Sequence, residues 1–246
     1  MFPPRAPFFA VLAADGVTAA PSKLGSATGY PQRSHLCQAI LCGVRPTLAY
    51  NVVAGATWPL LYGLFRLRST GKAHIPAGGC VLACNHLSSF DPWPLGMPLW
   101  PKTGLRFMAK SELYWFPLSK LIDGAGAFPV RRGQQDTVAI ETAVRLTREG
   151  HVIAMFPEGT RRIKGLMKTR VARPRSGAAR IALEAGVPLV PAAVRGTDRL
   201  LRLARLRVVY GAPVDIEDLR GQEIAEAAQE ATARLMARIE ELEASL

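Results

Sequence analysis

The rhythm of apolar and polar positions changes along this chain. Residues 1–35 mix Pro, Gly, Ser and Ala without sustained periodicity, and Asp15 interrupts the short apolar stretch that a signal peptide would need. This segment is expected to be poorly ordered. Between residues 46 and 65 no charge occurs, and Arg45, Arg66 and Arg68 bracket the run. A bilayer span needs about 20 apolar residues. Here Asn51, Gly55, Pro59 and Gly63 dilute the run, while Trp58 and Tyr62 suit a membrane–water boundary. Residues 36–69 therefore read as an apolar, membrane-associating helical segment, either spanning or shallow and re-entrant. An ordinary buried helix is the alternative.

After residue 70, short apolar runs alternate with longer helical patterns. The runs at 80–84, 105–109, 127–130, 152–156, 189–194 and 206–210 read as strands. Between them, 134–149 carries Ala139, Ile140, Ala143, Val144 and Leu146 at helical spacing, and Gly150 fits the position just past a helix end. A second helix is expected at 176–185, capped by Ser176 and closed by Gly186. From Gly221 onward, Ile224, Ala228, Ala231, Leu235, Ile239 and Leu242 share one face of a terminal amphipathic helix. Such alternation argues an α/β fold over 70–246: a central, mostly parallel or mixed sheet flanked by helices.

Composition narrows the class. Hydrophobic residues make up 49% of 246, which excludes a disordered protein. A formal charge of +12 implies an anionic partner: nucleic acid, an acidic membrane surface or a phosphorylated substrate. Four cysteines do not make a disulfide framework. Cys80, Cys84 and His86 lack the second ligand pair of a zinc site, so the cysteines read as small packing residues and no metal is expected.

The chemistry gathers at strand ends. "CNHLSSFDPW", residues 84–93, follows the first strand and presents His86 and Asp91 on a loop. A neutral imidazole can take a proton from an attacking hydroxyl, and a carboxylate can fix its tautomer and stabilise the imidazolium. On this pair alone, a loop histidine with Asp91 capping the next helix remains open. "FPEGTR", residues 156–161, follows another apolar run and turns at Pro157 and Gly159. Glycine lets the backbone approach a ligand, and Arg161 can hold a phosphate through two parallel hydrogen bonds. A basic tract follows, from Arg161 to Arg175, with no acid in it. An anionic ligand or membrane face accounts for it better than a plain solvated turn.

Together these segments resemble the four ordered blocks of the glycerolipid acyltransferase family, whose best-known members convert lysophosphatidate to phosphatidate. Asn85, His86 and Asp91 match the first block, and "GAFPVRR", with Arg131, matches the second. "FPEGTR" is the third, and "VPLVPAAV", with Pro191, the fourth. The match runs from about residue 70 to 215. H-x-x-x-x-D alone is weak; F-P-E-G-T-R downstream of it is strong. Departures lie after the third block, where the extra arginines of "GLMKTRVARPRSGAAR" would suit other head groups; in the second block Arg131, and not its neighbour Arg132, is the position matched to the family's arginine.

The resemblance implies a glycerol-3-phosphate acyltransferase-like fold and an acyltransferase, most simply of the 1-acylglycerol-3-phosphate type. His86 would be the general base and Asp91 its orienting partner. Asn85, Arg131, Glu158, Gly159, Thr160 and Arg161 would bind the lysophospholipid acceptor. Acyl-CoA or acyl carrier protein would be a co-substrate, with no further cofactor and no acyl-enzyme. Glycerol 3-phosphate, an ornithine-type lipid or a glycolipid is the alternative acceptor. An anionic membrane surface, at the cytoplasmic face of the cell membrane, is the expected partner. A nucleic-acid binder is the competing class, but no DNA- or RNA-binding motif occurs and the 46–65 run favours lipid. A catalytically silent membrane-binding relative would have no chemical need for both His86 and Asp91.

Overall fold

The computed structural model describes residues 44–110, 124, 126–130, 137–159, 163–164, 167–168 and 174–246. Its centre is a seven-stranded sheet. In chain order the strands are β1 (Arg68–Thr70), β2 (Cys80–Cys84), β3 (Leu105–Lys110), β4 (Ala127–Val130), β5 (Val152–Met155), β8 (Leu189–Arg195) and β9 (Arg207–Tyr210). A separate antiparallel hairpin, β6 (Ile163–Lys164) with β7 (Met167–Lys168), precedes β8. The spatial order is β1-β9-β8-β2-β5-β3-β4. The five strands from β8 to β4 are parallel, β9 runs antiparallel to β8, and β1 is parallel to β9. The expected strands recur with ends moved by a residue at most. β1 was not expected, because its three polar or charged residues become a strand only by pairing with β9.

Strand β2 shows why the middle of the sheet reads as unbroken apolar runs. All five of its residues are buried, since helices cover both faces. Cys80, Leu82 and Cys84 enter one core beneath helix α1 (Leu48–Pro59) and helix α2 (Pro92–Gly96). Val81 and Ala83 enter the other, beneath α3 (Thr137–Arg148), α4 (Gly177–Ala185) and α5 (Ile224–Ala244). Gly150 and Gly186 adopt positive φ just past α3 and α4, as expected for helix ends. Ser176 precedes α4 but makes no side-chain capping bond, contrary to expectation. In α5, Ala228, Ala231, Leu235 and Ile239 are buried together.

The apolar 46–65 run becomes α1 followed by a π-helical turn, Leu60–Leu64. Ala54 and Leu61 bury into the first core, and Trp93 Nε1 donates to Thr57 Oγ1 at 3.1 Å. The outward side keeps Leu48, Val52, Trp58, Leu60 and Leu64 exposed. Among the described residues, no helix is long and apolar enough to cross a membrane.

Candidate active site

The chain leaves β2 at Cys84, turns through 85–91 and enters α2 on Pro92, a residue suited to the first helical turn. Asp91 stands at the N-cap but makes no side-chain bond to α2. Its carboxylate turns back over the loop instead. Oδ2 accepts from the backbone N–H groups of Leu87, at 2.7 Å, and Ser88, at 2.8 Å. The same oxygen lies 2.7 Å from His86 Nδ1. A carboxylate only accepts, so Nδ1 carries a proton, and in the neutral ring the Nε2 lone pair is left for an incoming donor. Asp91 is fully buried and His86 is 8% exposed. The reading of Asp91 as a simple helix cap therefore falls.

Two further elements hold this pair. Thr197, just past the end of β8, donates from Oγ1 to Asp91 Oδ1 at 2.5 Å. Phe156, just past β5, stacks on the imidazole with ring centroids 4.3 Å apart and planes 25° from parallel. Three neighbouring parallel strands, β8, β2 and β5, thus converge on one histidine from their carboxyl ends, where open α/β sheets place their sites. Sequence reasoning missed Thr197. It stands 106 residues from Asp91, and a lone threonine after an apolar run carries no charge or periodic signal.

Asn85 sits behind the histidine, fully buried. Its Oδ1 accepts from Val194 N–H at 2.8 Å and from the Cys84 thiol at 3.2 Å. Its Nδ2 donates to Val194 O at 3.0 Å and Glu243 Oε1 at 2.7 Å. The side chain joins the ends of β2, β8 and α5, so its polar atoms are spent within the protein rather than turned to a ligand.

The "FPEG" turn lies beside Phe156. Gly159 N–H donates to Phe156 O at 3.0 Å, and Gly159 adopts φ +68°. The positive φ is what favours glycine here; a Cβ would also come within 2.8 Å of Nε of the exposed Arg175 side chain, which would have to shift. Arg175 N–H closes the same turn on Pro157 O at 2.7 Å. Glu158 is buried at 1% exposure. Arg131, Thr160 and Arg161 lie outside the described residues.

A family model described as Acyltransferase matches residues 66–195. The chain is 32% identical to the 1-acyl-sn-glycerol-3-phosphate acyltransferase of Bacillus subtilis (strain 168) over 182 residues, 71% of this chain and 87% of that one. The chain belongs to the glycerolipid acyltransferase family. It is also 27% identical to the enzyme of the same name from Salmonella typhimurium, over 68% of this chain and 69% of that one. In fold, this acyltransferase is similar to the crystal structure of the 1-acyl-sn-glycerophosphate (LPA) acyltransferase PlsC from Thermotoga maritima. The TM-score is 0.55 at 22% identity, covering 78% of this chain and 77% of that one.

Acyltransferases can work through an acyl-enzyme or by direct transfer, so the state of Cys84 matters. Its thiol is pushed well up, first by burial and then by the carboxylates of Asp91, Glu243 and Glu158. It stays protonated and points to Asn85, so it is not an activated nucleophile. Among the described residues, no cluster of three His, Cys, Asp or Glu side chains could hold a metal ion.

Proposed function

We propose that this acyltransferase moves a fatty acyl group from acyl-CoA or acyl carrier protein to the free hydroxyl of 1-acylglycerol 3-phosphate, giving phosphatidate. The observation that carries the mechanism is the 2.7 Å bond between His86 Nδ1 and Asp91. With Nδ1 so engaged, Nε2 takes the proton of the acceptor hydroxyl as its oxygen attacks the thioester carbonyl carbon. The tetrahedral intermediate collapses by expelling the thiolate, which recovers the proton from the imidazolium. Asp91 orients the ring and balances the imidazolium charge. The inert state of Cys84 favours direct transfer over an acyl-enzyme.

Arg131 and Arg161 are assigned to the acceptor phosphate, as planar donors suited to its oxygens. Thr160, Gly159 and Glu158 complete that end of the site. Asn85 and Thr197 act as positioning residues. Removing either Arg131 or Arg161 is expected to raise the acceptor KM by roughly tenfold to a hundredfold, the loss of one charge-assisted bond. Both substrates are amphiphiles, so the site must open at a bilayer. The exposed apolar side of α1 supports attachment to the membrane, which we assign to its cytoplasmic face.

The deciding experiment incubates purified protein with acyl-CoA or acyl carrier protein thioesters and a panel of lyso-acceptors, with product identification by mass spectrometry. Phosphatidate formed from lysophosphatidate in preference to the other acceptors is expected. Transfer confined to glycerol 3-phosphate, an ornithine-type lipid or a glycolipid would replace the acceptor and keep the chemistry.

A further inference from the structure

The connection from β8 to β9 does not bury its apolar residues. It begins as a 3-10 helix, Thr197–Arg202, in which Leu200 packs against the core. Leu201 is 102% exposed and Leu203 is 56% exposed. Leu203 also has φ +50°, a left-handed conformation that a leucine adopts at a cost. Arg66 is the other non-glycine residue with positive φ among the described residues, and it precedes β1 at the same edge of the sheet. At Leu203 this is the left-handed cap of the 3-10 helix, with its N–H donating to Leu200 O at 2.9 Å. A lone exposed leucine needs no explanation, but two exposed on one loop beside a basic surface do.

The surroundings are basic. Arg68, Arg207 and Arg195 are register partners across β1, β9 and β8, so three like charges line one face of the sheet side by side. Directly opposed like charges cost stability within a sheet. The loop adds Arg199, Arg202 and Arg205, all exposed. Its single acid, Asp198, is bound to Arg199 at 3.2 Å. Among the described residues, Arg68, Arg195, Arg202, Arg205 and Arg207 form no ion pair. Uncompensated repulsion of this kind is relieved by an external anion.

The place is informative too. Arg195 ends β8 and Arg207 begins β9, which puts the cluster at the same end of the sheet as His86, two residues from Thr197. The end of the π-helical turn arrives there as well, since Leu206 N–H donates to Phe65 O at 3.0 Å. Exposed Leu60 and Leu64 belong to that turn.

We infer that the β8–β9 loop is a second membrane-docking element, in which Leu201 and Leu203 enter the outer acyl region of an anionic bilayer while the surrounding arginines pair with lipid phosphates. The acceptor then reaches His86 from the bilayer without crossing open water. This inference builds on the lipid-acyltransferase reading, but binding can be measured without turnover.

The test uses the full chain and sedimentation with vesicles of phosphatidylcholine alone or mixed with phosphatidylglycerol. Leu201→Ser combined with Leu203→Ser is expected to lower partition into mixed vesicles by about tenfold or more, because two leucine side chains lose an apolar environment. Arg202→Gln combined with Arg205→Gln is expected to lower partition into mixed vesicles by about fivefold per charge, and to leave weak binding to pure phosphatidylcholine unchanged. Both variants should keep the wild-type melting temperature and turn over a water-soluble, short-chain acceptor and thioester at the wild-type rate. Wild-type partition of the double-serine variant into mixed vesicles overturns the inference. So does tighter binding to an oligonucleotide than to vesicles, if it is lost in the double-glutamine variant. If no acceptor is acylated yet both variants lose vesicle binding, docking stands and the acyl-transfer reading falls.

Discussion

Thr197 Oγ1 donates to Asp91 Oδ1 at 2.5 Å, so the carboxylate that orients His86 is itself oriented from another strand. Both of its oxygens are occupied, one by Thr197 and the other by three donors of its own loop. Thr197→Val keeps the shape and removes the bond. We expect kcat to fall by roughly tenfold, consistent with the loss of one hydrogen bond to a charged group. KM for both substrates should stay unchanged, because Thr197 bonds the carboxylate and not a substrate. Thr197→Ser should restore kcat. A purely structural role would lower the melting temperature and leave kcat per folded molecule unchanged.

The dyad itself is tested by removing each member. His86→Ala should lower turnover by about 10²–10⁴-fold, the usual contribution of a general base. Asp91→Asn should be severe as well, since the charge is lost and an amide nitrogen could face the donors at Leu87 and Ser88. Cys84→Ala, one residue from Asn85, should retain most activity. Near-normal turnover in His86→Ala, with loss in Cys84→Ala, would mean an acyl-enzyme route.

Asn85→Asp is nearly isosteric and should still be harmful. It places a carboxylate where Nδ2 now donates to Val194 O and to Glu243 Oε1 at 2.7 Å. Leaving a buried charge without its counterpart costs about 3–5 kcal/mol. Thermal denaturation should show a large drop in melting temperature, and turnover should fall with the folded fraction.

Stability should decline on the alkaline side. Burial pushes the Cys80 thiol up from 9.0 to about 12, and burial likewise raises Cys84 and Tyr210. In the unfolded chain the thiols lose their protons near pH 9 and the phenol near pH 10, while the folded protein keeps them. The unfolded state then binds fewer protons, so the contribution of these groups to folding stability is fully present below pH 9 and is lost as pH rises from 9 toward 12. Each such group contributes a slope of about 1.4 kcal/mol per pH unit. Urea denaturation at pH 8 and pH 10 measures it, and Cys80→Ala should reduce the difference.

The layered α/β architecture and the pairing of His86 with Asp91 are legible in the residues alone. Strands such as Cys80–Cys84 are apolar throughout because both faces of a parallel sheet are covered, and that composition stands in the chain itself. His86 and Asp91 lie within one loop, so five residues of sequence are enough to bring them together. What joins distant segments was decided only in three dimensions. Asn85 looked like a ligand-binding residue until Val194 and Glu243 were seen to take its amide, and Thr197 gave no signal until β8 ended beside β2. The 46–65 run has the same limit. Its composition could not say which side would face the sheet, because that depends on Ala54 and Leu61 meeting a core built from residues up to about 150 positions later. Periodicity and spacing report local geometry, whereas a hydrogen bond across 106 residues depends on the register of strands that no single segment encodes.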